Sequence, residues 1–273
     1  MSRSFTVAMP IDIDQRDQSG PFDIIGDVHG CFGELVLLLE ALGYEVSNTD
    51  ARPEGVFEVR PPSGRKLVFV GDLVDRGPDT PSVLRLAMSM IAAGQAYCVQ
   101  GNHDVKFVRW LEGRSVQMTH GLEKSAEQFM HEGRSFKDEV AAFLDGLPYQ
   151  LMLDQGRLVV AHAGIQENMI GQTNSKIRAF CLYGDRGEGR DEFGLPIRYH
   201  WALDYRGEAA IVYGHTPVAD ADWVNNTICL DTGCVFGGKL TALKWPEREI
   251  LSVTAREPYV KRFRPFGHPP ARP

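Results

Sequence analysis

Short apolar runs alternate along the chain with longer amphipathic stretches. The apolar runs are typical of buried strands, and leucines at three- and four-residue spacing predict helices. In the first half, strands are predicted at 22–26, 66–70 and 96–99 and helices at 31–42, 80–93 and 104–111. Strand and helix therefore alternate, and this order predicts a largely parallel sheet.

The second half of the chain has a different pattern. A helical segment is predicted at 120–146, a hairpin at 150–161, and strands at 210–213, 227–230, 240–243 and 250–253. Residues 165–208 are rich in glycine, arginine and acidic residues, and are predicted to be an insertion over an active face. A polar N-terminal arm (1–20) and a Pro- and Arg-rich tail or linker (255–273) are expected to flank one α/β domain at 21–254.

Composition and charge exclude several classes of protein. The 273 residues are 43% hydrophobic and 24% charged, which is ordinary for a globular protein. The net charge of −7 argues against a broad cationic surface for long nucleic acids. No apolar run is long enough for a membrane span, so no membrane partner is expected. Five cysteines without a C-x-x-C pair indicate neither a disulfide framework nor a thiolate zinc site, and a reducing cytoplasm is the expected location.

Five apolar runs end at a residue type that binds metal ions. The five motifs are "GDVHG" with Asp27 and His29, "GDLVDRG" with Asp72, "GNHD" with Asn102, "HAG" with His162, and "GHT" with His215. Ligands of α/β proteins bind outside the carboxyl ends of the strands, so these side chains are expected to meet at one sheet edge. Nitrogen and oxygen ligands without thiolate suit Mn, Fe, Zn or Ni. One such ending is weak support for a metal site, whereas five in one chain are strong support.

The five motifs, in this order, resemble those of the binuclear, calcineurin-like metallophosphoesterases of the serine/threonine-phosphatase-like branch, over residues 22–253. The resemblance implies two mixed β-sheets sandwiched between helices, with a metal pair at the sheet edge. It implies Asp27 and His29 on the first metal, Asp72 as the bridging ligand, and Asn102, His162 and His215 on the second. Two divalent transition metals about 3.5–4 Å apart clamp a phosphoryl group and activate water for in-line attack. Mn²⁺ is the expected metal, with Ni²⁺, Fe or Zn²⁺ as alternatives.

The same resemblance implies roles for residues beside the ligands. His103 is expected to be the general acid and Asp104 its orienting partner. Arg76 is expected to bind the substrate phosphate, and Asp75 to support the turn that carries it. Asn102 is also expected to contact substrate. The arginines of the insertion are candidates for a second phosphate or a ribose, namely Arg178, Arg186, Arg190, Arg198 and, preferred among them, Arg206. Tyr183, Phe193 and Trp201 are candidates for stacking on a base.

Longer segments suggest the substrate. "GPFDIIGDVHGC" and "ICLDTGCVFGGKLTAL" resemble the phosphatase module of bacterial polynucleotide kinase–phosphatase. That resemblance implies hydrolysis of 2′,3′-cyclic phosphates and 2′- or 3′-monophosphates at RNA 3′ ends, and a place in a larger kinase/ligase repair polypeptide or complex. It also implies that Asp231 supports the residues that bind the metal or phosphate, without binding either directly. The alternatives are a dinucleoside tetraphosphatase, acting on nucleotide phosphoesters, and a protein serine/threonine phosphatase. A scaffold without activity is disfavoured because every ligand position is filled.

Overall fold

The protein, studied as a computed structural model, is described over residues 12–48, 57–262 and 264–273, so residues 1–11 of the predicted arm lie outside the described residues. The strands are β1 Asp14–Gln15, β2 Phe22–Ile25, β3 Glu45–Asn48, β4 Phe57–Arg60, β5 Lys66–Phe69, β6 Ala96–Cys98, β7 Leu151–Leu153, β8 Leu158–Val160, β9 Arg186–Arg190, β10 Pro196–Arg198, β11 Ala210–Tyr213, β12 Trp223–Val224, β13 Thr227–Cys229, β14 Lys239–Trp245 and β15 Glu249–Thr254. The helices are α1 Phe32–Ala41, α2 Thr80–Ala92, α3 Asn102–Leu111, α4 Leu122–Met130, α5 Arg134–Asp145 and α6 Ser175–Tyr183. Short 3₁₀ turns lie at Asp154–Gly156, Glu167–Met169 and Trp201–Asp204.

The first large sheet contains the three strands predicted in the first half of the chain. Its strand order is β15-β14-β2-β5-β6. β2, β5 and β6 are parallel, as predicted, and their carboxyl ends meet at one edge. β14 is antiparallel to both β2 and β15, so the sheet is mixed. The parallel arrangement predicted from the first half is confirmed for these three strands, and the hairpin from the second half makes the whole sheet mixed.

The second large sheet has the strand order β1-β7-β8-β11-β13-β12. β7 and β8 form the predicted antiparallel hairpin, and β8, β11 and β13 are parallel. The carboxyl ends of β8 and β11 therefore also meet at one edge. β1 lies within the predicted N-terminal arm, and it extends this sheet by pairing with β7.

The two sheets pack face to face, and helices or loops cover their outer faces. The shared core contains Phe22, Ile24 and Val68 from the first sheet and Leu151, Val160, Val212 and Ile228 from the second. A second core lies between the first sheet and helices α1 to α5, and a third between the second sheet and the 165–208 insertion. The predicted fold class, two mixed sheets sandwiched between helices, is confirmed.

Three segments differ in detail from the prediction. Residues 120–146 form two helices, α4 and α5, because the backbone at Gly133 is extended (φ −65°, ψ 153°). The insertion at 165–208 has regular structure of its own, namely α6 and the β9–β10 hairpin. Among the described residues, none of the helices combines the length and the apolar character that a membrane span requires.

The C-terminal segment runs along the insertion. None of its described residues is buried, yet it is held at several points. Gly267 donates its amide proton to the Pro217 carbonyl (3.0 Å), and the Pro270 carbonyl accepts from the His200 amide (2.8 Å). Arg272 pairs with Asp185. The segment predicted to be a tail or linker is thus attached to the face that carries the insertion.

Candidate metal centre

The predicted ligands all follow strand ends at the adjoining edges of the two sheets. Asp27 and His29 follow β2, Asp72 follows β5, Asn102 follows β6, His162 follows β8, and His215 follows β11. His29, Asp72 and His215 have positive φ angles of 46°, 49° and 73°. Non-glycine residues adopt such angles at a cost, and they cluster at functional sites. The backbone is therefore bent sharply where it presents these side chains.

Asp72 lies at the centre of the group. Its Oδ2 atom is 3.6 Å from His29 Nε2 on one side and 3.4 Å from His162 Nε2 on the other. Its Oδ1 atom accepts a hydrogen bond from the His103 amide (2.9 Å). Asp72 is common to two clusters of potential ligands: the first also contains His29 and His103, and the second His162 and His215. Within each cluster the ligand atoms lie within 4.8 Å of one another. A ligand that bridges two metal ions has to belong to both clusters, as Asp72 does.

In and beside the second cluster, nitrogen and oxygen atoms that can bind a metal ion lie close together. His162 Nε2 lies 3.1 Å from Asn102 Oδ1 and 3.1 Å from His215 Nδ1. His162 Nδ1 lies 3.0 Å from the Val70 carbonyl, which only accepts, so Nδ1 carries a proton and Nε2 faces the cluster. Fixing of the tautomer by a backbone carbonyl is the usual support for a metal-binding histidine.

The charge of this cluster favours a cation. Burial disfavours protonation of His162, but the Asp72 carboxylate outweighs it and raises the pKa of His162 to about 9. The surroundings of His162 therefore favour a positive charge, which either a proton or a divalent metal ion can supply. His215 Nε2 is buried without a hydrogen-bond partner among the described residues. The two clusters and the adjacent Asn102 together offer the imidazole nitrogens of His29, His162 and His215, an amide oxygen and carboxylate oxygens. This set of ligands fits a pair of first-row divalent metal ions.

Asp27 lies close to the second cluster rather than within it. Its carboxylate accepts the His215 amide proton at 3.0 Å from Oδ2 and 3.2 Å from Oδ1. Gly214 allows this approach, since a Cβ atom there would lie 1.8 Å from Asp27 Oδ1. Burial, together with the nearby Asp231 carboxylate, raises the pKa of Asp27 well above its usual range. Burial also raises the pKa of Asp231 to about 6, so these buried carboxylates add to the demand for a cation.

Arg76 reaches into the first cluster. Its Nη1 atom lies 2.6 Å from His29 Nε2, and its Nη2 atom lies 2.8 Å from His103 Nε2. Burial and this guanidinium lower the pKa of both histidines well below the usual value. The turn that carries Arg76 packs against Gly121, where a Cβ atom would lie 2.3 Å from Arg76 Cγ. The structure therefore places the predicted phosphate-binding arginine beside the predicted ligand His29.

The acidic partner of His103 is Asp75 rather than Asp104. His103 Nδ1 lies 2.6 Å from Asp75 Oδ2, and both side chains are buried. Asp104, at the third position of α3, instead accepts the amide protons of Asp72, Leu73 and Gly101 at 2.9–3.0 Å. The prediction exchanged the two roles because Asp104 follows His103 in the chain. A carboxylate in the first turn of a helix bonds backbone amides, and no local signal reveals a partner 28 residues away.

Arg206 does not reach the site, whereas Arg198 does. Arg206 is exposed, and its Nη1 atom donates to the Leu203 and Tyr205 carbonyls, both at 2.7 Å. Arg198 lies close enough for Arg76, Asp72 and Asp231 to affect its ionisation, and burial lowers its pKa to about 10. Both arginines belong to the insertion, and the sequence offered no signal to distinguish them. The preference for Arg206 is therefore corrected to Arg198.

A separate buried cluster was not predicted. Cys31, Cys234 and Glu34 bring their ligand-type atoms within 4.8 Å of one another. A hydrogen bond with Cys234, together with burial, raises the pKa of the Cys31 thiol. Both cysteines are free thiols. The two are 203 positions apart in sequence, so a search for C-x-x-C pairs could not find them.

This fold and this site define a metal-dependent phosphoester hydrolase. The chain belongs to the calcineurin-like phosphoesterase family, whose family model matches residues 20–226. The metallophosphoesterase resemblance of the sequence motifs is thereby confirmed, and so is the prediction of a hydrolase.

Several relatives that match the chain over most of its length share one name. The chain is 46% identical, over 90% of its length and 99% of the relative's, to bis(5′-nucleosyl)-tetraphosphatase PrpE (asymmetrical) of Anoxybacillus flavithermus. It is 44% identical, over 90% and 98% of the two lengths, to the protein of that name from Halalkalibacterium halodurans. These relatives do not carry the name of polynucleotide kinase–phosphatase, so the finer resemblance is not supported.

Solved structures agree with the family. A structure described as a "putative diadenosine tetraphosphatase" has a TM-score of 0.62 and 27% identity, and the match covers 89% of this chain and 97% of the other. A serine/threonine phosphatase from Saccharomyces cerevisiae has a TM-score of 0.56 at 13% identity, covering 90% and 84%. The second match concerns the fold alone.

Proposed function

We propose that the protein is a metal-dependent dinucleoside tetraphosphatase that cleaves its substrate asymmetrically. The observation that carries the proposal is the identity of 41–46% with tetraphosphatases that this chain matches over about 90% of its own length and 97–99% of theirs. The relatives favour this alternative over the RNA-end specificity predicted first. The RNA substrates and the repair complex are accordingly not retained.

The metal site is proposed to consist of the six predicted ligands, with Asp72 between the two ions. His29 would hold one ion, Asn102, His162 and His215 the other, and Asp27, whose carboxylate accepts the His215 amide proton, would complete the set. The bound ions would supply Lewis-acid stabilisation of the phosphoryl oxygens and activation of water. Asp231 is proposed to support the site through the field of its buried carboxylate.

The proposed roles of the other residues follow from their contacts. Arg76 binds the non-bridging oxygens of the scissile phosphate, because its planar guanidinium suits paired phosphate contacts. When a phosphate neutralises this guanidinium, the repulsion that lowers the pKa of His103 weakens. His103 then carries the proton for the leaving oxygen, and Asp75 orients the imidazole through Nδ1.

A side-by-side assay tests the proposed substrate. The enzyme, supplied with Mn²⁺, is given diadenosine tetraphosphate, a nucleoside 2′,3′-cyclic phosphate and a phosphopeptide in parallel. We expect diadenosine tetraphosphate to be cleaved most efficiently, with ATP and AMP as the products on chromatography. Two ADP molecules would contradict asymmetrical cleavage, and a higher kcat/KM on the cyclic phosphate or phosphopeptide would refute the proposal. Asp72→Asn serves as the inactive control, since it removes the shared carboxylate charge.

A further inference from the structure

A pocket opens next to the metal centre. It is bordered by His215 and Gly214 at the metal centre, by Tyr183, Arg198, Tyr199 and His200 of the insertion, and by His268 and Pro269 of the C-terminal segment. Aromatic walls with a few polar groups are typical of small-molecule sites. The pocket thus continues from a predicted metal ligand into the region bounded by the insertion and the tail.

Two stacked rings form one wall of this pocket. The His200 and His268 rings lie 4.2 Å apart at an angle of 7°. His200 is buried, whereas His268 is exposed and offers an open ring surface. Burial lowers the pKa of His200 to about 4, so this ring is neutral near pH 7. His200 Nε2 is buried without a hydrogen-bond partner among the described residues. Such a wall suits a flat heterocycle that carries polar edges.

A positive charge lies between this wall and the metal centre. The Arg198 guanidinium donates from Nη1 to Thr216 Oγ1 at 3.1 Å, one residue after His215. Its ionisation is affected both by Asp72 at the metal centre and by Arg186 of the insertion. A polyphosphate chain that starts at the metal centre would therefore meet a second cation on its way into the pocket.

The C-terminal segment is fixed on both sides of His268. Gly267 is bonded to Pro217, and Pro270 to His200. Arg272 pairs with Asp185 and lies 4.9 Å from the centre of the Tyr199 ring. The position of His268 is thus determined by contacts with the insertion and with Pro217, and not by the tail alone.

We propose that this pocket binds the nucleoside of one arm of the dinucleoside polyphosphate, with Arg198 on the phosphate chain and His268 as a residue that determines specificity. The inference rests on the proposed function, since it names where that substrate's second part is held. The C-terminal segment would then favour substrates with a nucleoside over simple phosphate esters.

The test compares two substrates in the full-length enzyme with Mn²⁺. For His268→Ala, we expect KM for diadenosine tetraphosphate to rise about 5- to 150-fold, the range for loss of a base–aromatic stack. The kcat/KM on p-nitrophenyl phosphate, which has no nucleoside, is expected to stay within about twofold. His268→Phe retains a flat ring and should keep most of the affinity. Lys261→Ala, at an exposed position of the same segment, is the matched control. An unchanged KM in His268→Ala, or an equal loss on both substrates, overturns the proposal.

A binding readout separates this inference from the proposed function. ATP is tested as an inhibitor of p-nitrophenyl phosphate hydrolysis by the wild type and by His268→Ala. If the wild type fails to cleave diadenosine tetraphosphate, the proposed function falls. A wild-type inhibition constant for ATP that rises at least about fivefold in His268→Ala would then still support a nucleotide pocket. Equal constants in the two proteins refute the pocket whatever the outcome of the cleavage assay.

Discussion

Replacement of Asp75 by asparagine tests which carboxylate orients the general acid. The substitution keeps the shape of the side chain but removes the charge that lies 2.6 Å from His103 Nδ1. A hydrogen bond to a charged group contributes about 1.5–3 kcal/mol, which corresponds to about 10- to 150-fold in rate. We expect this loss in kcat for phenyl phosphate, whose leaving group needs a proton.

The assay compares phenyl phosphate with p-nitrophenyl phosphate, whose leaving group departs readily without a proton. Asp75→Asn should lower the rate on phenyl phosphate far more than that on p-nitrophenyl phosphate. Asp104→Asn is the matched control, because Asp104 bonds three backbone amides and does not contact the imidazole. It should lower thermal stability and reduce both rates alike. Equal losses in Asp75→Asn, or a selective loss in Asp104→Asn, would refute the assignment.

Three further predictions concern the metals, the packing and the acid stability. Treatment with a chelator should abolish hydrolysis of p-nitrophenyl phosphate and added Mn²⁺ should restore it; full activity without metal would contradict the two-metal centre. Gly214→Ala should lower metal content and activity and cost about 1–3 kcal/mol of stability, because its Cβ would lie 1.8 Å from Asp27 Oδ1. Gly133→Ala, where the added Cβ meets open space, should bind metal normally. The folded protein holds His200 neutral, so its stability should fall as the pH drops from 6.5 towards 4, and His200→Gln should lessen that fall in denaturation curves; an unchanged pH dependence would count against the burial of His200.

Much of the fold was predictable because its signals are local. Phe22–Ile25 and Lys66–Phe69 are mostly apolar runs, and α2 begins where Asp79 accepts the Ser82 amide proton (3.1 Å), as expected from a capping residue. The break between α4 and α5 was missed, since nothing near Gly133 marks a stop strongly enough to outweigh the helical spacing on both sides.

The candidate metal ligands were predictable for a related reason. Each follows a strand end, and strand ends are visible in the sequence as the point where an apolar run stops. Parallel strands bring those ends to one edge, so the strand order alone was enough to expect His29, Asp72 and Asn102 to meet. The sequence motifs also indicated phosphoester hydrolysis, although the longer segments favoured an RNA substrate that the relatives do not support.

The strands, the helices and the candidate ligand set could be derived from the chain alone, because they depend on residue type and on spacing over a few positions. Three contacts needed the folded molecule: Asp75 rather than Asp104 faces His103, Arg198 rather than Arg206 lies near the metal centre, and His268 of the tail stacks on His200. These contacts join residues from different segments of the chain, for example Asp75 and His103, which are 28 positions apart, where chain spacing carries no information about distance. They form because burial and packing fix the loops against one another in the folded molecule.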